Sequence, residues 1–421
     1  MTAALISSPN AIKVEGETLE CRRAITLLAG ASAVFVGLTA LYYFWTVSFK
    51  DSFPKDATTL VVGRDFLQFW MYGRAAWAPD PGRFYDPQLY NDALTALLGP
   101  NYPGQNWPYA PSIMLLTAPF GRLPYLPALG TWIVLGLAVF VGVGLRLFSW
   151  RRALVAALLS PAALLCLISG QTAFVTAPIL LTIFTTLDRR PRLAGVLIGV
   201  LTIKPQLGLL FPVLLVASGR WRVFTIAATT GLLIVGLTTA LFGTQVWIDF
   251  LSQGLSAQRL VMADPERLFT PFMPTFFANL RGIGASYELA TIIQACSAIC
   301  ASGAVAFAGR YYKDADPQYL AGLFLSCSVC AVPYFMSYDT LALTCLAISL
   351  LANNALDARG RVLAKLIFWL PLLQMVLGTW HIPGAALIPA TFAAEMLWRM
   401  IHANDLERHN ARSLQENAMP A

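Results

Sequence analysis

The apolar residues of this chain come in long, nearly uninterrupted blocks, without the alternation that marks half-buried helices or strands. A helix needs roughly 20 such residues to cross about 30 Å of hydrocarbon. Residues 24–47 meet that length directly after Arg22 and Arg23. The pattern predicts further spans over 126–145, 223–242, 287–308, 319–335, 340–352, 363–377 and 384–400. The first block is too long for a signal-peptide core, and Tyr42, Tyr43, Phe44 and Trp45 stand where a cleavage site would need small residues. It reads as a signal anchor.

Basic clusters resolve the stretch between residues 145 and 223. Arg146, Arg151 and Arg152, then Arg189, Arg190 and Arg192, then Arg220 and Arg222, each adjoin short apolar runs. The positive-inside rule places all three clusters in the cytoplasm, so each stretch between them crosses an even number of times. Residues 153–187 become two short helices with an outer apex at Ser169, Gly170 and Gln171. Residues 193–216 are too short for two full spans and become a hairpin of half-helices broken at Lys204 and Pro205, where proline removes a helix donor. Such breaks survive at membrane depth only where protein or a watery cavity covers the freed backbone groups. Continuing the topology places Arg310 with Lys313, the Arg359, Arg361 and Lys365 group, and Arg399 inside as well. The inner side then holds 19 of the 29 Lys and Arg residues, and that asymmetry supports cytoplasmic termini.

The fold expected is therefore all-α and polytopic, with about 10–12 membrane segments including broken hairpins. Its parts are a cytoplasmic tail (1–23), a transmembrane domain (24–400) and a second cytoplasmic tail (401–421) expected to be loose. Two outer segments are long, 48–111 and 243–286. The first is rich in aromatics, Pro and Gly and reads as interfacial helices, with 113–120 as a half-inserted piece.

Composition narrows the class. At 57% hydrophobic, 12% charged and a mean hydropathy of +0.62, the chain has half the roughly 25% charge of a soluble domain. That leaves too little polar surface for a water-soluble globule. Disorder, a collagen-like fibre, a disulfide scaffold and a nucleic-acid-binding domain are excluded. The net charge of +7 matters through its distribution across the bilayer. Six of the seven cysteines sit in apolar runs, and the Cys327–Cys330 pair reads as core packing.

Isolated polar residues at the outer helix ends are the candidates for chemistry: Asp65, Gln171, Lys204, Asp339 and His381. Ionisable groups near the membrane core are costly and usually face a cavity with a partner. Asp65, in Gly63-Arg64-Asp65 and followed by Phe66, Phe69, Trp70 and Tyr72, is either a general base toward a hydroxyl or a loop acid paired with Arg64 or capping the next helix. Lys204 has no acid within ten residues in sequence, so its ammonium either seeks an anion such as a lipid phosphate or snorkels. Gln171 and Asp339 either bind sugar hydroxyls or cap the helices that follow them. His381 either donates to a phosphate or is a solvated loop residue. Tyr85-Asp86-Pro87 and Tyr109-Ala110-Pro111 read as turns of the scaffold. No Walker loop, zinc-protease helix, nucleophile elbow or dinucleotide fingerprint is present.

Taken together, these segments resemble the membrane glycosyltransferases of family 87, in the GT-C class, which include mycobacterial mannosyltransferases using polyprenyl-phosphate mannose. The resemblance covers roughly residues 65–381. It rests on Asp65 with its aromatic run and Phe84-Tyr85-Asp86; on Trp107-Pro108-Tyr109-Ala110-Pro111; on Ser169-Gly170-Gln171; on Ala194-Gly195 through Lys204-Pro205-Gln206; on Gly219-Arg220-Trp221-Arg222; and on Met273-Pro274-Thr275. Tyr109-Ala110-Pro111 departs from the Tyr-Pro-Pro common in the family. The resemblance implies an inverting hexosyl transfer, most simply of mannose, from a polyprenyl-phosphate sugar to a lipid or glycan acceptor, without cofactor or metal. It implies Asp65 as base, Lys204, His381 and Arg281 at the donor phosphate, and Gln171, Asp339, Tyr338 and Trp70 at the sugar or acceptor. Such an enzyme would work at the plasma (inner) membrane facing the periplasm or cell exterior, with membrane lipid and no nucleic acid as partner. The competing class is a transporter or flippase of an anionic lipid-linked substrate, which broken helices and a lone lysine suit equally.

Overall fold

The computed structural model describes residues 9–49, 51–264, 268–313 and 315–417. Those residues are mainly helical, with no strand among them. In chain order the helices are α1 (Pro9–Thr46), α2 (Phe66–Ala75), α3 (Pro87–Leu98), α4 (Ile113–Thr117), α5 (Tyr125–Leu147), α6 (Arg151–Leu159), α7 (Pro161–Ser169), α8 (Ala173–Thr186), α9 (Pro191–Val200) and α10 (Phe211–Ala217). They continue with α11 (Trp221–Phe242), α12 (Gln245–Asp249), α13 (Leu255–Ala263), α14 (Phe276–Gly282), α15 (Tyr287–Tyr311), α16 (Pro317–Ala331), α17 (Leu341–Ala352), α18 (Ala358–Thr379) and α19 (Leu387–Asn417). Among the described residues α1, α5, α11, α15 and α18 are long and apolar enough to span a membrane, and five further apolar helices are shorter.

The breaks fall where the residues demand them. Helix α9 stops at Val200, two short 3-10 turns flank Lys204, and α10 starts at Phe211. Lys204 itself lies outside the helical region (φ −138°, ψ 73°) ahead of Pro205, which disfavours the α conformation in its predecessor. The apex at residues 169–171 is also present, with Gly170 in the left-handed region as the helix terminator. One further break, a 53° bend between α6 and α7, lies at Ser160-Pro161. Ser160 caps α7 from its side chain and Pro161 occupies the first helical position, where its missing N–H costs nothing. The segment after Ile401, expected to be loose, continues α19 as far as Asn417.

Two cores position the site. The larger is aliphatic and joins α6 to α11 with α15 to α19; α16 and α17 are buried on nearly every side, as helices apolar all round should be. The smaller is aromatic and belongs to the first long loop and the start of α5. There α2 is enclosed by protein: nine of its ten residues are buried. Tyr72 and Trp107 stack at 3.5 Å between ring centres, and Gly73 and Gly121 bring two backbones together so closely that a Cβ on Gly121 would lie 2.0 Å from the Gly73 carbonyl carbon.

Candidate functional site

Asp65 stands at the seam between the two cores. The turn before α2 holds two successive left-handed residues, Gly63 (φ 87°) and Arg64 (φ 36°). A non-glycine residue there costs of order 1–3 kcal/mol and persists only where its surroundings enforce it. Here Arg64 Nη2 donates to Asp56 Oδ2 at 2.8 Å, and Gln105 Nε2 donates to the Arg64 carbonyl at 2.9 Å. The turn aims Asp65 at the α7–α8 apex. Gly170 permits the approach, because a Cβ on it would lie 2.5 Å from Phe66 Cβ. Trp132 Nε1 fixes the apex by donating to the Gly170 carbonyl at 2.9 Å.

Both structural alternatives for Asp65 are absent: Arg64 pairs with Asp56, and Asp65 makes no side-chain cap to α2. Instead Gln171 Nε2 donates to Asp65 Oδ2 at 2.9 Å. Gln171 Oε1 faces Lys204 Nζ at 3.4 Å, and Lys204 Nζ donates to Asp339 Oδ1 at 2.6 Å. Four residues from four separate segments thus form one chain of contacts. Tyr338 stands against the same cluster, its ring 5.0 Å from the Lys204 ammonium. The Tyr109 hydroxyl lies 3.1 Å from Gln171 Nε2 and 3.3 Å from its Oε1.

The orientation of the Gln171 amide follows from chemistry. An ammonium only donates, so the atom facing Lys204 is the carbonyl oxygen. The NH2 group then faces Asp65, whose Oδ2 accepts from it, leaving Oδ1 as the oxygen able to take up a proton. Asp65 itself is half-buried and keeps an accessible surface, whereas Gln171, Lys204 and Asp339 are buried. Desolvation pushes the Asp65 pKa above the ordinary carboxylate range. The hydrogen bond from Gln171 and the nearby Tyr338 hydroxyl, together with the charges of Lys204 and Arg64, oppose that rise without cancelling it. The product is a carboxylate with one oxygen fixed and a raised affinity for a proton, which is what a general base toward a hydroxyl needs.

Several expectations are corrected. Lys204 is neither a snorkelling lysine nor a free cation: its side chain is 3% exposed and Asp339, 135 positions away, neutralises it. Two of its three donor directions are taken by Gln171 and Asp339, and its burial leaves the third turned away from solvent. Asp339 is that counter-ion and makes no helix cap. Trp70 is no sugar platform: it is 4% exposed, its Nε1 donates to the Leu123 carbonyl at 2.9 Å, and it packs edge-on to Phe53 and Tyr125. Tyr109, read as scaffold, reaches the site, and Tyr72 and Tyr85 hold it there by donating to its carbonyl at 3.0 and 2.8 Å.

Arg281 and His381 form a separate group. Arg281 donates to the carbonyls of Ala285 and Ala263 at 2.7 and 2.8 Å, while His381 Nδ1 lies 2.6 Å from the Gly282 carbonyl. Among the described residues no hydrogen bond or ion pair links either to the Asp65 cluster, and no three His, Cys, Asp or Glu residues converge to hold a metal ion.

Compared with known proteins, the chain matches the model of glycosyltransferase family 87 over residues 107–337, more than half of its length. Tyr109, Gln171, Lys204 and Arg281 lie inside that span; Asp65 precedes it, and Asp339 and His381 follow it. No curated protein and no solved structure matches it.

Proposed function

The chain belongs to glycosyltransferase family 87, and we propose that it transfers a hexose, mannose being the simplest case, from a polyprenyl-phosphate donor to a lipid or glycan acceptor at the outer face of the plasma membrane. The observation that carries this reading is the half-buried Asp65, whose carboxylate is hydrogen-bonded by Gln171 and through it tied to a buried ion pair.

The acceptor hydroxyl approaches Asp65 and hydrogen-bonds to its free oxygen, Oδ1. As the acceptor oxygen attacks the anomeric carbon, its proton passes to Asp65, the new C–O bond forms, and the bond to the donor phosphate breaks. The electron pair leaves with the polyprenyl phosphate. One displacement inverts the anomeric centre. Lys204 and Asp339 act at a distance: their pair holds the Gln171 amide, and the amide holds the base. Tyr109 and Tyr338 line the place where sugar and acceptor hydroxyls meet. Of the residues expected at the departing phosphate, the exposed His381 keeps that role; Arg281, buried with both Nη groups on carbonyls, holds the loop that carries Gly282, on which His381 rests.

The test is to incubate purified protein with a panel of polyprenyl-phosphate sugars and candidate acceptors and to measure released polyprenyl phosphate. Release with one sugar and formation of a new glycoside support the reading. Transbilayer movement of intact donor without cleavage would instead establish the flippase alternative.

A further inference from the structure

The opposite end of α1 carries a second built feature. Arg22 and Arg23 on α1, together with Trp150 and Arg152 at the start of α6, line an open groove of about 640 Å³ that continues onto Leu27. The Arg22 and Arg152 guanidinium carbons lie 5.9 and 5.8 Å from the Trp150 ring centre, one indole between two cations. Among the described residues none of the three arginines is in an ion pair. Glu20, the nearest acid along α1, points to Arg361 at 3.8 Å.

The groove sits one bilayer away from Asp65. Tyr43, near the other end of α1, donates to Asp56, the partner of Arg64. From Arg22 to Tyr43 the helix rises about 30 Å, the hydrocarbon thickness of a membrane. Between those levels α1 presents an unpartnered apolar face, with Leu27 73%, Val34 64% and Leu38 61% exposed. Three unpaired cations at one interface, with an apolar track leading from them toward the bilayer centre, match a molecule with an anionic phosphodiester head and acyl chains. A soluble phosphate would leave the track unused.

We propose that this groove binds one anionic phospholipid of the leaflet opposite the Asp65 site, its phosphate on Arg22, Arg23 and Arg152 against Trp150 and one acyl chain along Leu27. Juxtamembrane cations each attract an anionic surface, so a preference of roughly tenfold or more over a zwitterionic lipid is expected. Trp150 supplies the readout. The intact protein is placed in mixed micelles containing dibrominated phosphatidylglycerol or dibrominated phosphatidylcholine, and the quenching lost in Trp150→Phe is assigned to Trp150. The expected result is at least about tenfold stronger quenching of Trp150 by the brominated phosphatidylglycerol, weakened by salt and abolished in Arg22→Gln/Arg152→Gln. Equal quenching of the native protein by the two lipids would overturn the proposal without any arginine variant. So would displacement of the brominated lipid by inorganic phosphate, which would make this a soluble-anion site, or by equimolar polyprenyl phosphate, which would make it a substrate site.

Discussion

Two of the buried polar networks among the described residues are built on opposite rules. In the Asp65 network, side chains bond side chains: Asp65 to Gln171, Gln171 to Lys204, Lys204 to Asp339. In the network of the second long loop, side chains mostly bond backbone. Asn279 meets Gln374 at 3.0 Å, but its remaining bonds go to the Met273 carbonyl and the Gly384 N–H, and Gln374 donates to the Thr270 carbonyl. Arg281 and His381 likewise end on carbonyls. Side chains that bond backbone carbonyls fix a loop, and a neutral amide suffices. A buried chain that includes three ionisable groups costs desolvation at each of them, so its convergence on Asp65 points to chemistry.

The largest break in the comparison comes from splitting the ion pair. Lys204→Met leaves Asp339 buried and uncompensated, at a cost of about 3–5 kcal/mol, visible as a fall in thermal midpoint. Lys204→Met/Asp339→Leu removes both charges and is expected to recover most of that stability but little transfer, since the Gln171 amide loses its ammonium partner and keeps only Tyr109 and the Thr172 N–H. A double variant that recovers full transfer would reduce the pair to packing.

Gln171→Leu comes next. It removes a hydrogen bond to a charged group, about 1.5–3 kcal/mol, and with it an influence that lowers the Asp65 pKa. The base is active only when deprotonated, so the acidic limb of the pH–rate profile, already above the ordinary carboxylate range, should move further up and the rate at neutral pH should fall. An unmoved limb would detach Gln171 from the base.

In the second network Asn279→Ala should cost about 1–3 kcal/mol of stability through the unpaired amide of Gln374, with the pH–rate limb of the folded protein unchanged. A shifted limb would show that the two networks are coupled. The smallest effect is expected at Trp70. Trp70→Phe loses one hydrogen bond, about 0.5–1.5 kcal/mol, and leaves KM for donor and acceptor unchanged; a rise in either would restore Trp70 as a sugar platform.

Much of this contrast was legible in the sequence because polar residues are conspicuous in an apolar chain. Lys204-Pro205 marked a helix break, Ser169-Gly170-Gln171 marked an apex, and Asp65 and Asp339 stood at helix ends on one side. The pairing was not legible. Lys204 appeared to lack an acid because its partner is 135 positions away, and only the packing of α8 against α9 and α17 brings them together. Tyr109 was hidden by a Tyr-Ala-Pro turn composition, although Trp107 two residues earlier, wedged into the aromatic core, is what anchors it. Trp70 misled in the other direction: an indole next to a candidate acid looks like a platform until its N–H is found spent on Leu123. The bend at Ser160-Pro161 had a clear local signal, a capping serine before proline, inside a run otherwise rich in Ala and Leu.

The central claim is that Asp65 is the base, and Asp65→Asn tests it most directly. Because burial raises the folded-state pKa of Asp65, the folded protein holds that proton more tightly than the unfolded chain. The ionised carboxylate therefore costs stability as pH rises through the raised value, and the amide, which carries no charge, should leave stability at neutral pH unchanged or slightly higher. Loss of folding is thus not expected to confuse the result. The measurement is single-turnover transfer from a short-chain polyprenyl-phosphate sugar, alongside donor affinity, for the native protein and Asp65→Asn. A rate lower by about 10²–10⁴-fold with donor affinity retained is the predicted result; transfer at a near-native rate by the folded variant would contradict it.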